Sequence, residues 1–323
     1  MPPRHYGPWE QFASLLTEGL VARGVDVTLF ATADSVTSAR LVGVAPTGYS
    51  EDPSLDAKAW EALHIAAAFE RAGDFDLIHN SFDFLPLAFS RLVDTPVVTT
   101  IHGFGSDATL PVYREYADRV AYVAISDADR HPALPYAATI HHGIDIESFA
   151  IGPGGESLVY FGRIHPDKGT ALAIAVAAEA ERSLVIAGII QDREYFETSV
   201  EPHIDDERVT YLGPVGPDRR QSVLGNAAAL LHLIDFEEPF GFSVVEAMAC
   251  GTPVIAHNRG SMSEIIEPGV NGFLVSNRND TVHAVEEARR LDRSAVRLSI
   301  EGRFDAARMV DDYLSLYRRL IDA

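Results

Sequence analysis

Cysteine is nearly absent from this chain: Cys250 is the only one in 323 residues. That excludes an internal disulfide and a multi-cysteine metal site. Long apolar runs are missing too. No stretch reaches the roughly 18 uninterrupted apolar residues that a membrane-spanning helix needs. The opening MPPRHYGPWEQF has no apolar core of the signal-peptide kind. Basic residues are few: 26 Lys and Arg stand against 47 Asp and Glu, a net charge of -21. Such a chain repels nucleic acid and anionic lipid, and it carries no Lys/Arg-rich amphipathic helix. Its one arginine cluster, Arg289, Arg290, Arg293 and Arg297, is interleaved with acids and reads as a solvated helix face. Together these absences predict a cytoplasmic protein with no nucleic-acid partner and no stable membrane binding.

What is present is ordinary globular composition, 47% hydrophobic and 23% charged, at a length that suits two domains. Short β-rich runs alternate with amphipathic helical runs, the pattern of parallel α/β architecture. In the first half, strands are expected at 26–31, 39–44, 76–80, 97–102, 120–125 and 138–143, with helices over 9–22 and 55–72. In the second half, strands are expected at 157–163, 183–188, 209–214, 229–234, 253–257 and 272–276. Helices are expected there at 169–180, 191–201, 243–250 and 280–291. Between the halves AIGPGGES (150–157) holds three glycines and a proline without periodicity, and reads as a linker. The domains are therefore set at 1–150 and 151–305. Two such domains imply a cleft, because ligands of open parallel sheets bind beyond the carboxyl ends of the strands. The chain opens on PPRHYG and a helix rather than a hydrophobic strand, so the first domain is expected to lack its opening strand.

The most informative segment runs from Glu237 to Val275 and holds Glu238 and Glu246 with seven residues between them. Gly241 leaves room for a ligand against the backbone, and Ser243 suits a helix cap. A helix N-terminus offers free N–H groups to a phosphate. Carboxylates on either side of it can accept hydrogen bonds from hydroxyl pairs, such as those of a sugar or a ribose. Two glutamates at this spacing are, taken alone, usually surface charges. A second segment, YFGRIHPDKGTALAI (160–174), places Arg163 and Lys168 between a strand and a helix, where two cations can neutralise a diphosphate leaving group. In the first half IHGFG (101–105) ends a strand on His102, a position more often structural than functional.

These segments resemble the retaining GT-B glycosyltransferases, the large family that includes sucrose synthases and phosphatidylinositol mannosyltransferases. The matching residues are Glu238-Pro239-Phe240-Gly241 through Glu246-Ala247-Met248-Ala249, then Gly251-Thr252-Pro253-Val254, with Gly162-Arg163 and Lys168-Gly169 upstream. The resemblance implies two Rossmann-like domains facing a cleft. It gives Glu238 the donor hexose, Glu246 the ribose hydroxyls, and the backbone of Phe240, Gly241, Phe242 and Ser243 the sugar and diphosphate. Arg163 and Lys168 would hold the diphosphate. His102, flanked by Gly103 and Gly105, would lie near the C6 hydroxyl of the donor sugar. Gly7, in the Tyr6-Gly7 loop, would approach donor and acceptor, although Pro8 stands where the family often has a second glycine. The implied partners are a nucleotide diphosphate-sugar of the UDP-glucose or GDP-mannose type and a soluble, unidentified acceptor. No cofactor or metal ion is expected. A C-terminal helix at about 306–323 is expected to cross back to the first domain.

Other signals are weaker. Asp74-Phe75-Asp76 spells a metal-binding motif of another transferase fold but precedes a strand, so it reads as a helix-to-strand turn. His141, His142 and Cys250 read as packed residues, Ser126 and Asp127 as a helix cap, and His79 and Asn80 as strand-end candidates for acceptor contact. Two rival readings stay open: a non-catalytic sugar-nucleotide-binding module, and a sugar-nucleotide epimerase on the same fold. No G-x-G-x-x-G with an acidic partner is present, which disfavours a dinucleotide dehydrogenase.

Overall fold

The computed structural model describes residues 1–3, 7–48, 51–104 and 106–322. Tyr6 and Gly105, which enter the reading above, lie outside the described residues. The chain divides into two compact units, Met1–Gly143 with Ala306–Ala323, and Ile144–Asp305. The glycine-rich stretch 150–157 thus belongs to the second unit. No helix among the described residues is long and apolar enough to cross a membrane.

The first unit opens with helix α1 (Pro8–Ala22), started by a proline in its first turn, where the missing N–H costs nothing. Strands β1 (Thr28–Ala31) and β2 (Arg40–Gly43) pair in parallel, and α2 (Ala57–Phe69) follows. Then come β3 (Ile78–Asn80), β4 (Val97–Ile101), a short helix α3 (Leu110–Glu115), β5 (Val120–Ala124) and β6 (Tyr136–Thr139). The last four strands form one parallel sheet in the order β3-β4-β5-β6, separate from the β1-β2 pair. Among the described residues no strand precedes α1, and none joins the two sheets. All five β4 residues are buried, as expected of a strand covered on both faces.

In the second unit β7 (Leu158–Phe161), α4 (Thr170–Glu179), β8 (Leu184–Ala187) and α5 (Arg193–Tyr195) come first, α5 running on as a wider π turn to Val200. Next are β9 (Val209–Tyr211), α6 (Pro217–Gly225), β10 (Leu230–His232), α7 (Phe242–Ala249), β11 (Val254–His257) and α8 (Met262–Ile265). The unit closes with β12 (Gly272–Val275), α9 (Arg278–Ala288) and α10 (Arg293–Leu298). Its six parallel strands lie in the order β9-β8-β7-β10-β11-β12. This is a doubly wound sheet whose order reverses between β7 and β10, the place where ligands of such sheets bind.

The last helix, α11 (Ala306–Ile321), belongs to the first unit. Its buried Met309, Val310, Tyr313, Leu316 and Tyr317 recur at helical spacing. They pack with Phe12, Leu16 and Leu20 of α1 and with Val98, Val123 and Ile140.

Three details depart from the sequence reading. Helices α6, α8 and α10 were not anticipated. β6 starts at Tyr136 and stops at Thr139, so His141 and His142 lie beyond it. The arginine cluster is not a solvated face throughout. Arg293 donates to the carbonyls of Gly152, Ala227, Gly225 and Cys250 and to Thr252 Oγ1, at 2.7–3.1 Å. Arg297 reaches the carbonyls of Ala249 and Ile146. These two arginines close the ends of neighbouring segments, and Arg290 remains at the surface, 73% exposed.

Candidate active site

The site begins at the end of β7. Tyr160 Oη donates to the Arg163 carbonyl at 2.6 Å and shapes the exit from the strand. The Arg163 guanidinium donates to the Gln191 side chain. His165 caps a short 3-10 turn, Pro166–Lys168, and Gly169, at φ 74°, turns the chain into α4. The Asp235 N–H donates to the Asp167 carbonyl at 2.7 Å and ties this loop to the one after β10. Lys168 is thereby held against the second loop. Its Nζ lies 3.1 Å from Glu238 Oε2 and 4.3 Å from the centre of the Phe236 ring. Both partners of the pair are partly buried, 14% and 13% exposed.

His232, at the end of β10, brings Nε2 to 3.4 Å from the same Glu238 oxygen. Burial alone would raise the Glu238 carboxyl, but the contacts with His232 and Lys168 outweigh it and hold the group down at about 2. Glu238 is therefore an anion bracketed by the Lys168 ammonium and the His232 ring nitrogen. His232 was not singled out from the sequence, since nothing in a β-rich run marks which residue will face a glutamate six positions later.

The turn into α7 follows. Gly241 adopts φ 89°, a conformation other residues rarely take, and a side chain there would press on Met262. The Ser261 N–H donates to the Glu238 carbonyl and Ser261 Oγ to the Phe240 carbonyl, both at 2.9 Å. Phe240 is buried against Phe242 and Phe304, with ring centres 5.2 and 5.8 Å away. Ser243 does not cap this helix. Gly241 occupies the cap position without a side-chain bond, and Ser243 stands in the first turn, because the positive-φ glycine makes the turn earlier.

Glu246, further along α7, is 2% exposed. Its Oε1 receives Arg220 Nη1 at 2.5 Å. Arg220 comes from α6, a polar helix that hydrophobic periodicity does not reveal. The structure thus joins Lys168 directly to Glu238 and gives Glu246 a separate partner.

In the first unit His102 directly follows β4. Its ring stacks on Trp9, 5.6 Å between centres, and meets the edge of Phe12 at 4.7 Å. His102 Nδ1 lies 3.3 Å from His142 Nε2, while His102 Nε2 is buried without a hydrogen-bond partner among the described residues. Burial lowers His102 to about 3, with neighbouring His79 adding to the effect, so the ring is neutral. Gly7 caps α1, its carbonyl accepting from the Gln11 N–H at 2.9 Å. Both His79 nitrogens are engaged, by Tyr317 Oη at 2.5 Å and Thr100 Oγ1 at 2.8 Å. Asn80 donates to the Asp83 carbonyl and accepts from the Phe82 N–H. These two strand-end residues serve the packing of their own unit. Ser126 Oγ accepts from the Asp129 N–H in a turn, with no helix after it.

Comparison with known proteins defines the class. Residues 144–303 match the family described as glycosyl transferases group 1, and residues 10–148 the family described as glycosyltransferase family 4. The sucrose-phosphate synthase of Thermosynechococcus elongatus superposes with a TM-score of 0.81 at 20% identity, over 98% of this chain and 94% of that one. Anabaena HepE in complex with UDP and glucose superposes at 0.77 and 20% identity, over 99% and 97%. The D-inositol 3-phosphate glycosyltransferase of Mycolicibacterium smegmatis is 27% identical over 364 residues, 93% of this chain and 83% of the relative. The fold is that of the GT-B glycosyltransferases, a mixed α/β fold with parallel sheets. Within that class the chain belongs to the group 1 glycosyltransferase family.

Proposed function

We propose that this glycosyltransferase is a retaining enzyme that moves a hexose from a nucleotide diphosphate-sugar to a hydroxyl of a soluble acceptor. The observation that carries the reading is the partly buried Lys168–Glu238 pair, at the point where the strand order of the second unit reverses. An ammonium has three donors and a carboxylate about four lone pairs. Lys168 therefore has donors left for a phosphate oxygen, and Glu238 has lone pairs left for hexose hydroxyls, while the two stay paired. Arg163 supplies the second cation for the leaving diphosphate. The N–H groups from Phe240 to Ser243, at the start of α7, add the helix-end contribution. Glu246 takes the ribose hydroxyls. His102 and Gly7 serve the hexose and the acceptor.

In the transfer, the bond from the anomeric carbon to the phosphate oxygen breaks. The bond to the acceptor oxygen forms on the same face, and the acceptor proton passes to the leaving phosphate. Neither a glycosidase-type carboxylate pair nor a metal ion is required on this reading.

HepE has been seen with UDP-glucose, so UDP-glucose heads the panel of donors, with GDP-mannose and ADP-glucose. D-inositol 3-phosphate, named for the mycobacterial relative, is the first acceptor to try. Calorimetric titration of the three donors should show one binding selectively, with affinity reduced about tenfold or more in Glu246→Ala. Failure of all three to bind would count against the donor reading. An inverted anomeric configuration in the product, read by NMR, would remove retention. The split sheet of the first unit favours a second reading, a module that binds sugar nucleotides without transferring them. Tight donor binding with no turnover on any acceptor would select it.

A further inference from the structure

Glu246 is 2% exposed, and a carboxylate so enclosed needs a partner to remain charged. One partner is Arg220, the fourth residue of α6, whose Nη1 lies 2.5 Å from Oε1. Arg220 is itself 16% exposed over its side chain. Its guanidinium carbon lies 5.8 Å from the centre of the Phe161 ring, at the last residue of β7. Its Nε is buried with no hydrogen-bond partner among the described residues. Arg220 thus bridges the end of β7 and the middle of α7, the two sides of the point where the sheet order reverses. Neither the resemblance nor the spacing of motifs pointed to it.

We propose that Arg220 is a positioning residue for nucleotide recognition: it fixes the plane of the Glu246 carboxylate so that this group discriminates a ribose diol from a deoxygenated sugar. The inference rests on the reading that Glu246 receives the ribose hydroxyls. Arginine suits the task because its planar fork sets direction as well as charge, whereas lysine supplies a point charge. A purely structural arginine, present only to neutralise a buried acid, would support every ligand of the site equally. A positioning arginine acts on the ribose hydroxyls alone.

The test is calorimetric, comparing UDP with 2′,3′-dideoxy-UDP on the wild-type chain and on Arg220→Met, Arg220→Lys and Glu246→Gln, with thermal melts to confirm folding. The wild type should prefer UDP by about 10- to 100-fold, the range of a hydrogen bond to a charged group. In Arg220→Met the affinity for UDP should fall towards that for the dideoxy compound, which itself stays within about twofold of wild type. The preference should then shrink to the level seen in Glu246→Gln. Arg220→Lys should lie between, its preference reduced at least about threefold, and it stands alone as the test if Arg220→Met does not fold. Equal losses for both ligands, or an undiminished preference in both Arg220 variants, would overturn the proposal. A wild type that binds UDP without preferring it over the dideoxy compound would overturn the ribose reading first and this proposal with it. Where neither binds, GDP and ADP with their dideoxy analogues take the place of the uridine pair, and no binding of any of the three diphosphates by the wild type would do the same.

Discussion

At the scale of single residues, the contest at Glu238 is between burial and charge. Burial favours the protonated acid, while Lys168 and His232 favour the anion and prevail. The folded-state value, about 2, lies below the unfolded 4.5. The stability this group contributes is therefore complete above pH 4.5 and is lost as pH falls from 4.5 towards 2. Breaking the pair from the other side has a calculable sign. Lys168→Ala leaves an enclosed anion with one partner fewer, which costs about 3 kcal/mol of stability in urea unfolding. The double variant Lys168→Ala with Glu238→Gln should recover most of that loss, because no charge remains to be answered. Turnover should not recover. Lys168→Ala should lower kcat by about 100-fold or more, as expected for removal of a group that answers developing charge, while donor affinity changes less. Equal stability of the single and double variants would show that the pair contributes nothing to the fold.

Among the secondary-structure elements, legibility followed from how much of each one's role is local. The strands of both units stood out because alternation of apolar runs with turn residues is itself the cause of the sheet. The segment from Glu238 to Glu246 stood out because glycine, helix and acids come close together in sequence. Helix α6 did not, since PDRRQSVLG has only Val223 and Leu224 as apolar side chains, too few to mark a period. With α6 unseen, Arg220 had no visible relation to Glu246, 26 positions away. α10 failed in a different way. Arg293 and Arg297 lie among acids, which is how a solvated face reads, yet their acceptors are backbone carbonyls that no sequence pattern displays. The consequence for stability is specific to the element. Arg293→Met would strand the carbonyls of Gly152 and Ala227 beside an apolar side chain, while those of Gly225 and Cys250 keep the N–H groups of Gly154 and Gly152. Two unanswered acceptors place the cost at about 2 to 3 kcal/mol. Arg290→Met, at an exposed position of the same sequence cluster, should change stability by less than about 0.5 kcal/mol. Urea midpoints of the two variants check the contrast, and similar midpoints would mean that the Arg293 contacts carry little.

For the whole molecule, the two units answer acid differently, because their buried titratable groups differ in kind. The first unit encloses His79, His102 and His142 as neutral rings. Burial lowers His79 and His102 to about 3 and places His142 well below its ordinary 6.5. An unfolded histidine takes up its proton near 6.5, so below that pH the unfolded state binds more protons than the folded one. Stability is then lost progressively from pH 6.5 towards 3, by about 2 kcal/mol for each of the first two at pH 5. His102 and His142 touch, and all three rings pack on Phe12, so these losses do not simply add. In the second unit the shielded carboxylate Glu238 begins to lose its contribution only below 4.5. The first unit should therefore weaken at milder acid than the second. The chain carries its own reporter for this, since both tryptophans, Trp9 and Trp60, fall in the first unit. Urea unfolding at pH 5 should show the tryptophan fluorescence midpoint below the midpoint of far-ultraviolet circular dichroism, which reads both units. At pH 7 the gap should narrow. Replacing His79 or His102 with glutamine should remove part of the drop in the fluorescence midpoint between pH 7 and 5, because glutamine takes up no proton on unfolding. A fluorescence midpoint that stays level from pH 7 to 5 would refute the account, since three enclosed neutral histidines oblige it to fall.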